Sequence, residues 1–120
     1  MLNSKLGNIG EQIAVDYLTS LNYKIVKRNF HFGKIGEIDI VAEDGDFLVF
    51  CEVKTRSNQT YGTGLDAINP KKQKQIVNVA KGYLTINKIT DKSCRFDAII
   101  INFRNNNYKI EHYKDIIFSI

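Results

Sequence analysis

Asp39, Glu52 and Lys54 are the residues of this chain whose types and spacing suit a shared chemistry. They lie in two β-rich runs, Gly36-Glu37-Ile38-Asp39-Ile40-Val41-Ala42 and Phe47-Leu48-Val49-Phe50-Cys51-Glu52-Val53-Lys54, with Glu43-Asp44-Gly45-Asp46 between them. Asp-Gly in such a setting is a strong hairpin signal, because both residues tolerate positive φ. With Asp44-Gly45 as a two-residue loop, Glu43 is expected to pair with Asp46, and Asp39 with Phe50. Side chains alternate along a strand, so Glu52 and Lys54 share the Phe50 face, roughly 7 Å apart. Asp39 joins them there, diagonal to Glu52. Charges among Val41, Leu48 and Phe50 are costly unless they are paired or hold a metal. Hard oxygen donors on adjacent strands suit Mg²⁺ or Mn²⁺, which accepts one or two carboxylates and keeps several waters. Such an ion would neutralise phosphate charge and acidify a bound water, while Lys54 oriented the water or stabilised developing negative charge.

The elements that must position these groups follow from periodicity. Residues 8–21 read as a helix, with Ile9, Ile13, Ala14, Tyr17, Leu18 and Leu21 as its apolar stripe. Gly10 sits in that stripe, where a missing side chain lets a helix approach a sheet closely. Glu11 lies at the stripe's edge. It reads either as a first-turn acid favoured by the helix dipole or as a carboxylate leaning over the sheet towards Asp39 and Glu52. Residues 23–30 read as a strand, with Asn22 ending the helix. The loop that follows is expected over residues 28–34, and Lys24, Lys27, Arg28, His31 and Lys34 form a basic rim beside it.

Beyond Lys54 runs a long polar segment containing Arg56, Gly62 and Gly64, expected to be at least partly loop. Asn69-Pro70 then opens a second helix, with Asn as N-cap and Pro at the first position. Ile76, Val77, Ala80, Tyr83 and Leu84 supply its buried stripe, and Gln73 points back towards the sheet. Lys71, Lys72 and Lys74 crowd its first turns, where the dipole disfavours cations, so this end reads as a phosphate seat. Residues 94–101 and 108–113 complete the strands. Asp97, polar in an apolar strand, is expected to serve Arg95, Lys54 or a backbone donor rather than the site. The order is helix, three strands, helix, two strands. Strands apolar on both faces need cover from both sides, so we expect an α/β fold with a central mixed sheet flanked by helices.

The 120 residues form one domain of ordinary globular composition, 43% hydrophobic and 25% charged. A net charge of +4 permits a polyanionic partner without requiring one. The longest apolar run falls short of a membrane span and no charged-then-apolar leader follows Met1, which implies a cytoplasmic protein with no membrane partner. Cys51 and Cys94 are isolated, so reduced buried thiols are expected rather than a structural zinc site. Two His residues in loop or near-terminal positions give triad chemistry no support. The apolar tail 116–120 is expected to pack on the core or serve a dimer contact.

Asp39 followed by Glu52-Val53-Lys54 resembles the PD-(D/E)xK nucleases, the restriction-endonuclease-like superfamily. The wider pattern is similar to the YraN-type family of small bacterial proteins, grouped with endonucleases by resemblance. The matching segments are Gly10-Glu11 with Ala14 and Tyr17-Leu18, Arg28-Asn29, Gly36-Glu37-Ile38-Asp39, Glu52-Val53-Lys54, Lys71-Lys72-Gln73 and Arg95-Phe96-Asp97. Ile38 stands where the superfamily pattern has Pro. The resemblance implies a Mg²⁺-dependent (or Mn²⁺-dependent) phosphodiesterase. Its metal acids map to Asp39 and Glu52, its lysine to Lys54, and a further ligand to the Val53 main-chain carbonyl. A helix-borne Glu of archaeal Holliday-junction resolvases maps to Glu11. Gln73, Lys71, Lys72, Lys74, Arg28 and Arg56 become candidates for supporting the site or contacting DNA. Expected partners are DNA, branched or recombination-intermediate in the resolvase case, and a second copy, since a homodimer suits a symmetric junction. The alternative is a non-catalytic nucleic-acid-binding or scaffold module of a DNA repair or uptake complex.

Overall fold

Seven elements form, in the expected order: α1 (Leu2–Ser20), β1 (Lys24–Phe32), β2 (Gly36–Asp44), β3 (Phe47–Arg56), α2 (Pro70–Ile86), β4 (Ser93–Arg104) and β5 (Asn107–Tyr113). The computed structural model describes residues 2–57, 64–65 and 68–117. Most of the polar segment after β3, and residues 118–120 of the apolar tail, lie outside the described residues. The five strands make one sheet in the order β1-β2-β3-β4-β5. Only β3 and β4 run parallel, because the chain crosses over through α2 between them; the other neighbours are antiparallel.

Each helix covers one face. Ala14 and Leu18 of α1 pack with Ile40, Ala42, Val49, Cys51, Ile99 and Ile101. Ile76, Val79, Ala80 and Tyr83 of α2 pack with Val41, Leu48, Phe50, Phe96 and Ala98. Along β3 the odd residues therefore face α1 and the even residues face α2, as strand alternation requires. Gly10 fits as expected, since a Cβ there would collide with the Thr55 hydroxyl. Gly82 of α2 similarly leaves room for the Phe32 ring.

α1 begins well before residue 8. Leu6 and Gly7 of the leading turns line a cleft with the end of β3; Ile9 and Leu21, at the limits of the apolar stripe, are exposed. Asn22, at φ 69°, closes the helix as expected. β1 continues to Phe32, so its turn is residues 33–35, later and shorter than the loop anticipated. Asn69 caps α2, its side chain accepting the Lys72 N–H at 2.9 Å. Ile117 is buried against the α2-side core, so the start of the tail packs as expected. Cys51 and Cys94 are free thiols. Among the described residues no helix is long and apolar enough to cross a membrane.

The β2–β3 hairpin corrects the expected register. Asp44 pairs with Phe47 and Val41 with Phe50, leaving Gly45-Asp46 as the loop. Gly45 has φ 58° and Asp46 is not among the positive-φ residues, the pattern of a turn with glycine at its first central position. The pairing is displaced by two residues, so the parity of faces survives. The ladder ends at Ile40↔Cys51, one residue short of Asp39 and Glu52.

Candidate functional site

Asp39 stands where β2 stops pairing with β3. The last ladder pair is Ile40↔Cys51, and beyond it the Asp39 carboxylate accepts the Val53 N–H at 2.8 Å. The side chain thus takes a backbone carbonyl's place in the ladder. On the other side of β2, pairing with β1 skips Asn29, which has φ 53°. The same break shows in the core: Ile38 packs on the α2 side and Ile40 on the α1 side, although they are two residues apart. Regular alternation would put both on one face, so the strand turns about its axis at Asp39. A strand residue's N–H and C=O project towards the same neighbour, so the Val53 carbonyl also lies along this gap.

Asp39 is only 7% exposed. Burial and then the Glu52 carboxylate push its pKa up to about 7, against the Val53 hydrogen bond, with Glu11 and Glu37 adding to the rise. Glu52 is raised as well, chiefly by burial, although Lys72 of α2 holds its Oε1 at 3.5 Å. Glu11 is raised by burial, offset in part by Arg28 and by a hydrogen bond to the Asn29 side chain. The carboxylates Glu11, Glu37, Asp39 and Glu52 therefore feel one another, and the cations acting most strongly on the raised three are Arg28 and Lys72.

Among the described residues no three His, Cys, Asp or Glu side chains converge closely enough to grip an ion. The donor chemistry still fits a hard divalent cation. Mg²⁺ needs only one or two carboxylates, and here buried Asp39 and half-buried Glu52 interact, both with pKa values raised chiefly by burial.

The remaining expected residues divide. Glu11 and Lys54 line one open cleft of about 520 Å³, with Gly7 from α1 and Val53 and Thr55 from β3. Lys54 is exposed and has no ion pair with any described residue. The arrangement beneath α1 is corrected by the sheet's parity: Glu52 lies on the α2 face, below the first turn of that helix, and Glu11 approaches from the opposite side. Arg28 is exposed, donating to Gln12 at 3.0 Å, and Lys71 and Lys74 are exposed near the start of α2. Arg56 lines the same cleft as Glu11 and Lys54, whereas Gln73 turns away from it. Arg56 is 6% exposed, its side chain so close under Gly64 that a Cβ there would meet it. Gln73 bonds the Ile68 carbonyl at 3.1 Å and lines a different cavity, with Leu65 and Ile116. Glu37, adjacent in sequence to the expected acids, contributes charge that the strand pattern gave no reason to single out; it also pairs with His31 at 3.2 Å.

Asp97 has the structural role expected of it. Arg95 binds both of its oxygens, at 2.9 and 3.0 Å, and the Asp115 N–H donates at 3.0 Å. His112 Nε2 lies 2.8 Å from Asp97, so that nitrogen carries the proton, and Nδ1 faces the Tyr17 hydroxyl at 3.0 Å. Burial works against the ionised carboxyl, but these bonds outweigh it and hold its pKa below the usual range. The network ties α1, β4 and β5 together on the side of the sheet away from Glu52.

Residues 10–101 match the model of a family described as "Uncharacterised protein family UPF0102". The chain belongs to the UPF0102 family. A UPF0102 protein of Alkaliphilus oremlandii is 44% identical over 116 residues, 95% of this chain and 98% of its own length. One from Geotalea daltonii is 46% identical over 114 residues, covering 94% and 89%. One from Clostridium botulinum is 45% identical over 116 residues, covering 94% of each. UPF0102 is the YraN-type family that the motifs resemble, and a five-strand mixed sheet between two helices is consistent with a restriction-endonuclease-like fold. The matched stretch contains Glu11, Asp39, Glu52, Lys54 and Lys72; His112 lies outside it.

Proposed function

We propose that this UPF0102 protein is a metal-dependent DNA endonuclease, hydrolysing phosphodiester bonds at the gap between β2 and β3. The observation that carries this reading is the buried Asp39 carboxylate, bonded to the Val53 N–H, interacting with Glu52 and raised to about 7. A fold that needed only a hydrogen-bond acceptor there would be served by Asn, without the electrostatic penalty. Asp39, Glu52 and the Val53 carbonyl would hold Mg²⁺ or Mn²⁺, with Glu11 completing the coordination directly or through water. When bound, the ion supplies an acidified water and neutralises phosphate charge. Lys54, exposed in the adjoining cleft with Glu11, would meet a scissile phosphate or orient the attacking water. Arg28, Lys71 and Lys74 provide cationic contacts for the flanking backbone.

Cleavage of labelled linear, flap and four-way DNA in Mg²⁺ or Mn²⁺ tests the reading. Wild-type protein should cut at least one substrate, and Asp39→Asn and Lys54→Ala should lose activity by about a hundredfold or more. A second reading, a nucleic-acid-binding or scaffold module without cleavage, is favoured by one observation: no three ligand side chains are gathered closely enough to grip an ion among the described residues. Wild-type protein that shifts DNA but never cuts it with any divalent ion would establish that module.

A further inference from the structure

Lys72 is the cation that holds Glu52, and its placement runs against helix chemistry. It is the third residue of α2, a helix with no acidic residue in its first turn, where the dipole disfavours a positive charge. Its backbone is fixed, the N–H donating to Asn69 Oδ1 at 2.9 Å, and the Gln73 N–H beside it bonds the Asn69 carbonyl at 2.9 Å. Its side chain is a flexible four-carbon stem, 33% exposed. The contact with Glu52 Oε1 is 3.5 Å long, well outside the ~2.7–2.9 Å of a tight charge-assisted hydrogen bond. Glu52, by contrast, is 17% exposed and set on β3 in the middle of the sheet. One partner is anchored and the other is loosely seated.

We propose that Lys72 is a displaceable counter-ion: its ammonium occupies Glu52 until a divalent cation arrives, then transfers to the phosphate that the cation engages. The inference rests on the metal-dependent reading given above. A divalent cation at the same oxygen has twice the charge of an ammonium and a shorter approach, so it wins the carboxylate by Coulomb attraction. The released ammonium then has a phosphate oxygen as its natural new partner, which lysine serves as a point charge. Lys72 thus neutralises half of the carboxylate pair when no ion is bound and contributes to substrate binding once one is. Lys54, with no ion pair among the described residues, has no such resident duty.

Calorimetric titration with MnCl₂ in the absence of DNA tests the exchange. Lys72→Met, which removes the competitor and keeps the length, should bind Mn²⁺ about tenfold more tightly than wild type. Lys72→Arg, which keeps the charge and strengthens the hold on Glu52, should bind no more tightly than wild type. In protein with nitrogen-labelled lysines, the Nζ resonance missing from Lys72→Met should shift on Mg²⁺ addition in step with saturation. With Ca²⁺ in place of Mg²⁺, Lys72→Met should bind duplex DNA at least about threefold more weakly, from the lost phosphate contact. Equal or weaker Mn²⁺ binding by Lys72→Met, or an Nζ resonance indifferent to Mg²⁺, overturns the exchange while leaving the metal site standing. Wild-type protein that binds no Mn²⁺ overturns both.

Discussion

The Asp39 carboxylate accepts the Val53 N–H at 2.8 Å, one residue past the last backbone pair between β2 and β3. A side chain therefore closes a gap that the main chain leaves open. One oxygen is committed to the sheet, and the group is held near Glu52 whatever its protonation state. The hydrogen bond positions the acid; the burial and the neighbouring carboxylate make it want a cation.

This sets a conflict between stability and binding. Asp39→Asn keeps an acceptor for the Val53 N–H and removes the charge that burial and Glu52 oppose. In EDTA at pH 8 the variant should be more stable than wild type by about 1–3 kcal/mol in urea unfolding, while its divalent affinity is lost. A variant less stable than wild type would show that the ionised carboxylate helps the fold.

The pH dependence has a definite sign. Asp39 binds its proton more tightly folded than unfolded, with a pKa near 7 against an ordinary 3.8. Its contribution is favourable in acid and disappears as pH rises from about 4 through 7. Ion-free wild type should lose stability relative to Asp39→Asn across that window, and Mn²⁺ affinity should climb over the same range and level off above it. Parallel stability curves for the two proteins between pH 5 and 8 would refute the assignment.

Asp97 works in the opposite direction. Its carboxyl is depressed by His112, Arg95 and the Asp115 N–H against the cost of burial, so its stabilisation is present above the unfolded value near 3.8 and is lost as pH falls through the lower folded value. Asp97→Ala leaves Arg95, whose side chain is 12% exposed, without its main partner. We expect a loss of about 3–5 kcal/mol, read as a fall in thermal midpoint by circular dichroism. A loss below about 1 kcal/mol would mean that Arg95 finds adequate company in Asp44 and Tyr23.

Gly10 sets how closely α1 approaches β3, and through α1 the position of Glu11. Gly10→Ala drives a methyl into the Thr55 hydroxyl and should cost about 1–3 kcal/mol despite alanine's higher helix propensity. Thr55→Ala in the same chain should recover most of that loss. Failure of the double variant to recover would place the strain elsewhere.

Much of this was legible in the chain because local chemistry and tertiary packing agree there. Asn69-Pro70 is a helix start by capping chemistry alone, and the even–odd pattern of residues 47–53 dictates a sheet covered on both faces. The hairpin register was not legible, because Asp44-Gly45 and Gly45-Asp46 both make acceptable two-residue turns and strand packing decides between them. Asp39 and Glu52 still interact, although the ladder stops one residue short of them. Which helix lay over Glu52 could not be read either, since parity says that two residues share a side but not what covers it. The turn of β2 at Asp39, matched by Asn29 in β1, is invisible to any rule based on alternation. The burial of Arg56 was not legible, because nothing local shows that the chain returns over it at Gly64.

Crystals of the wild-type protein soaked in MnCl₂ at pH 8 and measured near the manganese absorption edge give the most direct test. An anomalous peak should lie between the Asp39 and Glu52 carboxylates, about 2.2 Å from at least one oxygen of each, with Lys72 Nζ withdrawn from Glu52. A map without a peak in that gap, with Lys72 still seated on Glu52, would contradict the assignment of these two acids as a metal site.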